Sequence, residues 1–201
     1  MKYGMLIDLL KCVGCNACTV ACKANNITPR GINFHKIKKY ELGEYPNAKM
    51  KFLPMPCMHC LNAPCKKVCP TGATYQTEDG RVLIDNDKCI GCRACMVACP
   101  YDARQFVWQL STYYEECEMT PFEKKNERLY REGTTVKCTF CDSRLAAGNQ
   151  PACVVTCIGS ARFFGDLDDK DSQISKMVVD FGGKALKAEL GTQPAVYYIN
   201  G

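Results

Sequence analysis

The pattern of apolar and polar residues along the chain predicts short strands joined by tight turns. Residues 3–9 are mostly apolar and lead directly towards Cys12, which is typical of a strand rather than of a targeting segment. Residues 70–89 contain two strand-like runs on either side of Asp79-Gly80, a dipeptide typical of hairpin turns. We therefore expect a strand at the N-terminus and a hairpin in the middle of the chain.

Three further segments complete the predicted secondary structure. Residues 32–41 and 48–56 predict a second hairpin. Residues 172–182 have apolar side chains at helical spacing, which predicts a short helix that packs on the rest of the chain. The predicted apolar face of this helix consists of Ile174, Met177, Val178 and Phe181.

The sequence predicts neither a membrane span nor a secretory signal. The longest uncharged runs, such as residues 151–161, are shorter than the roughly 18 residues that a spanning helix requires. The N-terminus lacks the apolar stretch and the small-residue cleavage site of a signal peptide. We expect any link to a membrane to come through partner proteins.

Cysteine is the most unusual feature of the composition. The chain has 201 residues and 17 cysteines, a density met mainly in disulfide scaffolds and in metal or cluster proteins. Its content of Leu, Ile and Val is modest for a protein that must bury a core. The cysteines are therefore expected to help hold the fold together.

All but one of the cysteines fall into four motifs. Motif one is Cys12, Cys15, Cys18 and Cys22; motif two is Cys57, Cys60, Cys65 and Cys69; motif three is Cys89, Cys92, Cys95 and Cys99; motif four is Cys138, Cys141, Cys153 and Cys157. Motifs one and three have the C-x2-C-x2-C-x3-C spacing of bacterial ferredoxins, and the other two lengthen only the middle gap. Each motif thus opens with a turn and closes with two sulfurs one helical turn apart.

The spacing decides between three kinds of cysteine chemistry. Disulfides would need an oxidising compartment, and an odd number of cysteines in tight, repeated groups argues against them. Closed zinc sites pair C-x2-C units and give no reason for a fourth cysteine that is followed by proline. The pattern therefore predicts 4Fe-4S clusters, one for each complete motif.

The net charge of +5 is consistent with this prediction. The Lys and Arg residues are scattered among the cysteines and form no basic stripe, which argues against nucleic acid as a partner. Each oxidised cluster with four thiolates carries a charge of about −2, so nearby cations balance the clusters and help to set their potentials.

The sequence around the motifs repeats as well. The run before Cys12 resembles the run before Cys89, and the run after Cys157 resembles the run after Cys69. A hairpin joins motifs two and three, whereas the matching strands of motifs one and four are not joined. The predicted fold is α+β, with two ferredoxin-like two-cluster modules, one inserted in the other, and loop insertions.

The predicted domain boundaries follow from this repeat. They are an outer module of residues 1–22 and 138–170, an inner module of residues 57–100, insertions at 23–56 and 101–137, and a C-terminal helix and strand at 171–201. Of the two insertions, the one at 101–137 is charged and long for a compact domain. They are either solvated loops or surfaces that contact a partner.

The four motifs and their surroundings resemble the iron–sulfur subunits of the dimethyl sulfoxide reductase family of molybdenum enzymes. The resemblance rests on CKANN after motif one, CMHC and APCKKVCPTGA in motif two, CIGCRACMVACPY in motif three and CTFCDSRLAAGNQPACVVTC in motif four. It covers most of the chain. The GDLDD segment is most similar to the arsenate, polysulfide and thiosulfate branch, and the chain departs from the family at Ile158, where proline is common.

The resemblance implies a non-catalytic electron-transfer subunit with four 4Fe-4S clusters. Such a subunit relays electrons between a membrane quinone-interacting subunit and a large molybdopterin subunit that contains molybdenum or tungsten. It would be associated with the membrane through these partners, either in the cytoplasm or in the periplasm after co-export with the catalytic subunit.

The repeat and the resemblance both imply that the fourth cysteine of each motif binds the cluster of its partner motif. The implied ligand sets are Cys12, Cys15 and Cys18 with Cys157; Cys138, Cys141 and Cys153 with Cys22; Cys57, Cys60 and Cys65 with Cys99; and Cys89, Cys92 and Cys95 with Cys69. Self-contained motifs and pairing between neighbouring motifs are the competing arrangements.

Two other functions belong to different classes. A free polyferredoxin shuttle would not need the two insertions. A stand-alone catalyst would need more than closed clusters, and the sequence has no phosphate loop, dinucleotide fingerprint or C-x3-C-x2-C radical motif.

Four single residues carry separate expectations. Cys117 has no motif companion, so we expect it not to be a ligand. His59, inside motif two, is expected to pack or hydrogen-bond near a cluster. His35 is expected at the surface. Trp108 is expected in a core or an interface, with a place in the electron path as the alternative.

Overall fold

The computed structural model describes residues 1–114, 116–125 and 129–201. A four-stranded sheet contains both ends of the chain, with the strand order β8, β1, β10, β9. Its strands are β1 (Tyr3–Asp8), β8 (Arg162–Asp166), β9 (Lys184–Ala185) and β10 (Val196–Ile199). β1 pairs antiparallel with β8 and parallel with β10. The strands before motif one and after motif four therefore pair, as their repeat predicted.

Three two-stranded hairpin-like pairs surround this sheet. They are β2 (Lys36–Leu42) with β3 (Lys49–Met55), β4 (Thr74–Gln76) with β5 (Val82–Ile84), and β6 (Arg104–Phe106) with β7 (Thr135–Lys137). The first two are the hairpins that the sequence predicted. The third brings the two ends of the insertion at 101–137 together, which the sequence did not predict.

The helices are short. They are α1 (Ala17–Asn26), α2 (Pro64–Lys67), α3 (Ala94–Val97), α4 (Asp142–Ala146), α5 (Ala152–Val155) and α6 (Gln173–Asp180), and single 3-10 turns form at Glu123–Lys125 and Ala188–Leu190. Within the described part of the chain, no helix has both the length and the apolar character needed to cross a bilayer.

Strand β1 separates two apolar layers. Its side chains alternate in direction, so Met5 and Ile7 pack into the layer that contains the cysteine motifs, and Leu6 packs against α6 on the other side. Ile174 of α6 is buried there, as predicted. Phe181 lies beyond the end of α6 and is 56% exposed, so its predicted place on the packed face is wrong.

The insertion at 101–137 has local order where it is described. The buried Glu123 carboxylate accepts hydrogen bonds from the Tyr113 and Thr120 backbone N–H groups, and the Tyr113 hydroxyl donates to the Thr28 carbonyl. The bonds to Glu123 stabilise the insertion internally, and the bond to Thr28 connects it to the segment after α1. Positions 115 and 126–128 of the predicted charged insertion lie outside the described residues.

Candidate functional site

All four cysteine motifs begin with the same backbone turn. The residue directly before the second cysteine has a positive φ in each, with 66° at Gly14, 43° at His59, 70° at Gly91 and 57° at Phe140. Only glycine adopts this conformation without strain, so the His and Phe positions are held in it by their surroundings. The repeat in the sequence therefore extends to a repeat in local backbone geometry.

The second half of each motif also repeats. A helix begins one residue before the third cysteine in every motif, at Ala17, Pro64, Ala94 and Ala152. Only the helix of motif one continues through the fourth cysteine, Cys22. In the other three motifs the helix has four residues and ends two residues before the fourth cysteine, so the predicted helical C-x3-C segment is confirmed for motif one and wrong for the other three.

Sixteen cysteines line four separate cavities, four in each. Cavity A is lined by Cys12, Cys15, Cys18 and Cys157; cavity B by Cys22, Cys138, Cys141 and Cys153; cavity C by Cys57, Cys60, Cys65 and Cys99; and cavity D by Cys69, Cys89, Cys92 and Cys95. The four cavities are similar in size. Each one brings together three cysteines of one motif and the fourth cysteine of another.

The thiols in these cavities are in an unfavourable environment for negative charge. Burial, followed by repulsion from neighbouring cysteines such as Cys57, raises the pKa of Cys60 to about 12. Burial likewise raises the pKa of Cys138 to about 12, and burial raises that of Cys153 to about 11 although Arg162 opposes the rise. Thiolates grouped in this way need cations among them, which the iron ions of a cluster supply.

Several donors already point at the sulfurs. The backbone N–H groups of Thr74 and Ala161 donate to Cys69 and Cys157 at 3.4 and 3.3 Å. The Asn26 amide donates to Cys22 at 3.4 Å. Such N–H···S bonds favour thiolate ligands and are one of the ways in which proteins set the reduction potential of a cluster.

The donor set fits 4Fe-4S clusters better than single ions. Among the described residues, no three Cys, His, Asp or Glu side chains converge closely enough to hold one metal ion. Each cavity instead has four cysteines in its lining, and two buried guanidinium nitrogens of Arg104, which lines cavities C and D, lack a hydrogen-bond partner within the described residues. A cluster would place sulfur acceptors in these cavities.

His59 and Phe140 form a contact between motif two, which contributes to cavity C, and motif four, which contributes to cavity B. Their rings stack with centroids 3.8 Å apart, and each residue lies between the first two cysteines of its motif. His59 is fully buried, and its Nδ1 accepts the Val82 backbone N–H at 3.1 Å. Burial, together with the charges of Lys137 and Arg81, lowers its pKa well below the usual value. His59 therefore packs as a neutral ring, as predicted, at the contact between two motifs.

His35 is buried, so the prediction that it lies at the surface is wrong. Its ring contacts the Arg162 guanidinium through Nε2 and the Thr19 hydroxyl through Nδ1 at 3.3 Å. Because arginine can only donate, Nε2 accepts and Nδ1 carries the proton. The hairpin formed by β2 and β3 brings His35 to a partner 127 positions away in the sequence, which no local pattern indicates.

Cys117 and Trp108 lie at the surface. Cys117 is exposed and is not among the cysteines that line cavities A to D. Trp108 is 70% exposed, so it is not a core residue; the alternative, an interface, stays a prediction. The Trp108 and Phe106 rings make an edge-to-face contact, and the Arg93 guanidinium lies over the Trp108 ring. Arg93 directly follows Cys92 of cavity D in the sequence.

Sequence reasoning missed three buried cations near the cysteines. They are Arg104, Lys137 and Arg162. A signal for two of them was present, because Arg104 and Arg162 each follow the last cysteine of motif three or four by five residues. Lys137 directly precedes Cys138, and only its burial distinguishes it from the other lysines.

Comparison with known proteins agrees with this geometry. The 4Fe-4S dicluster domain matches residues 48–129 and 118–167, and a second domain with the same description matches residues 11–73. A selenate reductase subunit of Mesobacillus selenatarsenatis is 47% identical to this chain, over 99% of this chain and 72% of the relative. The arsenate respiratory reductase iron-sulfur subunit of Shewanella sp. strain ANA-3 is 41% identical, over 99% and 96% respectively.

The chain belongs to the family of 4Fe-4S dicluster iron–sulfur subunits, which are electron-transfer proteins. A tetrathionate reductase subunit of Salmonella typhimurium is a further relative, 42% identical over 98% of this chain and 72% of its own length. The resemblance that the sequence motifs indicated is thereby confirmed.

Proposed function

We propose that this iron–sulfur subunit carries four 4Fe-4S clusters and relays electrons between two partner subunits. One cluster would occupy each of cavities A to D, with the four cysteines of that cavity as its ligands. The observation that supports this most strongly is the grouping of sixteen cysteines into four sets of four. Each set consists of three cysteines from one motif and one cysteine from a second motif. This grouping is the one that the nested arrangement of an outer and an inner module requires.

The four proposed centres would follow one another in the order A, B, C, D. Arg162 lines cavity A, and its guanidinium donates to the Cys153 sulfur of cavity B at 3.8 Å. The stacked rings of His59 and Phe140 connect cavities B and C. Arg104 lines both C and D. Each bound cluster would accept and release one electron, and the chain's own residues fix the sequence of the centres.

Cavities A and D would be the two ends of the relay. Each contains one exposed cysteine, Cys15 in A and Cys92 in D. Exposed apolar side chains adjoin both, with Val13 in the first motif and Ile90 in the third. Cavities B and C have no cysteine in the exposed class. Partner subunits would therefore dock at the two ends and exclude water from the terminal clusters.

The partners follow from the family. By analogy with the relatives, which are subunits of selenate, arsenate and tetrathionate reductases, one partner would be a large molybdopterin subunit that contains molybdenum or tungsten. The other would be a membrane subunit that exchanges electrons with quinones. The chain would thus be held at the membrane by its partners, in the cytoplasm or in the periplasm.

A free polyferredoxin shuttle is the alternative function, and purification distinguishes the two. An affinity-tagged chain, isolated from its native host without oxygen, should retain one large molybdenum or tungsten protein in equal amounts. Recovery of the cluster-loaded chain alone, with full electron-transfer competence towards soluble donors, would favour the shuttle. The exposed Trp108 beside cavity D offers a further check, since Trp108→Ala should weaken retention of one partner and leave the clusters intact.

The number of clusters is tested by analysis of the same preparation. Four 4Fe-4S clusters correspond to about sixteen iron and sixteen acid-labile sulfide per chain. Values near eight of each, or stoichiometric zinc, would contradict the proposal.

A further inference from the structure

Three cations are buried among the residues that the structure describes. Arg104 is 2% exposed, Lys137 is 3% exposed and Arg162 is 5% exposed. Lysine and arginine are almost never buried to this extent unless they are paired with an anion. None of the three forms a salt bridge with a carboxylate within the described parts of the chain. Their negative partners must therefore be of another kind.

Arg162 lies between cavities A and B. It lines cavity A, and one of its terminal nitrogens, Nη1, donates to the Cys153 sulfur of cavity B at 3.8 Å and to the Met5 sulfur at 3.4 Å. The other terminal nitrogen contacts Nε2 of the buried His35. The neutral imidazole thus holds the guanidinium in place without cancelling its charge.

Lys137 lies close to cysteines of cavities B and C, although it lines neither cavity. Its ammonium group donates to the carbonyl oxygen of Cys138, a cysteine of cavity B, at 2.7 Å. Its charge also lowers the pKa of Cys65 in cavity C, where burial is the main influence and acts in the opposite direction. The stacked pair of His59 and Phe140 lies at this same junction.

Arg104 lies between cavities C and D and lines both of them. Its Nη1 donates to the Thr74 hydroxyl at 3.1 Å, while Nε and Nη2 are buried and have no hydrogen-bond partner in the described part of the chain. The cysteines that act most strongly on its charge are Cys65 of cavity C and Cys95 of cavity D. Arg104 thus lies beside cysteines of two different cavities and has two donors without a partner among the described residues.

The pairing of two of these cations argues against a purely structural explanation. Arg104 and Lys137 are directly opposite each other in the antiparallel register of β6 and β7. Like charges in this position repel, and burial strengthens the repulsion. The arrangement is stable only if anionic groups lie on both sides of the pair, and the proposed clusters, with a charge of about −2 each, are such groups.

We propose that Arg162, Lys137 and Arg104 are positioning residues, one at each of the three junctions between neighbouring clusters, that reduce cluster repulsion and raise the reduction potentials of the two clusters they separate. This inference rests on the proposed four-cluster function. The physical reason is that reduction adds negative charge to a cluster, so a nearby buried cation stabilises the reduced form more than the oxidised form. Each cation acts on two clusters because it lies between them.

The test uses redox titrations of the full cluster-loaded chain, followed by electron paramagnetic resonance, which yield four midpoint potentials. The variants are Arg162→Gln, Lys137→Gln and Arg104→Gln. Lys67→Gln serves as a matched control because it removes one exposed positive charge inside motif two, between Cys65 and Cys69. We expect each buried-cation variant to lower two potentials markedly and Lys67→Gln to lower none to a comparable extent, because water screens its charge.

The pattern of shifts provides the decisive result. The two potentials lowered by Arg162→Gln should be the two that Arg104→Gln leaves nearly unchanged, and Lys137→Gln should lower one from each pair. Shifts of the same pair in all three variants, or shifts no larger than in Lys67→Gln, would overturn the proposal. If the unmodified chain shows four potentials but the variants do not shift them in this pattern, only the proposed role of the cations is overturned. If the unmodified chain shows fewer than four potentials, the proposed function is overturned.

A second set of variants covers the case in which a glutamine variant loses iron. Arg162→Lys, Lys137→Arg and Arg104→Lys preserve the charge but change the shape of the side chain. If the charge-preserving variant retains about sixteen iron ions, the number for four clusters, while the glutamine variant loses iron, the result supports the electrostatic role. Equal loss of iron in both variants would show that shape rather than charge is required, and would overturn the proposal.

Discussion

Arg104 and Lys137 face each other across the strand pair β6–β7, and both are almost completely buried. Two like charges in such a position would destabilise a protein that had only its own side chains to balance them. Each lies beside cysteines of the proposed cluster sites, so the fold becomes electrostatically balanced when the clusters are in place. On this account the proposed clusters would be part of the core as well as the means of electron transfer.

We predict that removal of iron unfolds much of the chain. The cysteines and the buried cations make up a large part of the interior, and in the absence of clusters the cations repel one another. Treatment with a chelator and an oxidant should abolish the protection of β6 and β7 amides from hydrogen exchange. Preserved protection in iron-free protein would contradict this prediction.

The contact between His59 and Phe140 should contribute strongly to stability. Phe140 is 1% exposed and packs against both His59 and Phe164, so Phe140→Ala should cost about 3–5 kcal/mol through lost contacts and a cavity. Phe140→Leu is the matched control. Like alanine, leucine has a Cβ atom at this position of positive φ, but its larger side chain fills most of the space that phenylalanine occupies. Denaturant unfolding, followed through the visible absorbance of the clusters, measures both; equal effects would show that packing is not the cause.

Gly91 should be essential for the turn in motif three. A Cβ atom at this position would lie 2.1 Å from the Gly133 carbonyl oxygen, and φ is +70°. Gly72 provides the control, since its φ is +66° but nothing lies within 4 Å of the added atom. Gly72→Ala should cost only the backbone strain of about 1–2 kcal/mol. Gly91→Ala should also displace the loop beside cavity D and lower the iron content, and equal iron contents would argue against this account.

Cys117→Ser should leave the clusters unchanged. Cys117 is exposed and does not line any of the four cavities, whereas Cys92, which is also exposed, lines cavity D. Exposure alone therefore does not separate the two residues, and the comparison with Cys92→Ser tests the assignment of ligands. In Cys117→Ser, the number and shape of the electron paramagnetic resonance signals of the reduced protein should be the same as in the unmodified chain. In Cys92→Ser, they should change.

The sequence predicted those features that depend on repeated local patterns. The hairpins at β2–β3 and β4–β5, the pairing of β1 with β8 and the helix that contains the last two cysteines of motif one all follow from spacing and periodicity. The sets of cysteines around each cavity agree with those that the repeat and the family resemblance implied. The assignment of these sets as cluster ligands stays a prediction.

Other features depend on contacts between distant parts of the chain and could not be predicted in this way. His35 is buried because a hairpin folds it onto Arg162, and a lone histidine in a polar stretch gives no sign of that contact. Strand β10 joins the sheet in parallel beside β1 although almost the entire chain separates them. The burial of Lys137 likewise arises from the pairing of β6 with β7, two strands that lie at opposite ends of the insertion at 101–137.

The position of Cys157 in the iron-loaded protein tests the central claim most directly. An experimental structure of the loaded chain should place the Cys157 sulfur about 2.3 Å from an iron of the cluster held by Cys12, Cys15 and Cys18, the usual length of a metal–thiolate bond. Binding of Cys157 to the cluster of Cys138, Cys141 and Cys153 would mean self-contained motifs. Binding to the cluster of Cys89, Cys92 and Cys95 would mean pairing of neighbouring motifs, and either result would contradict the nested arrangement.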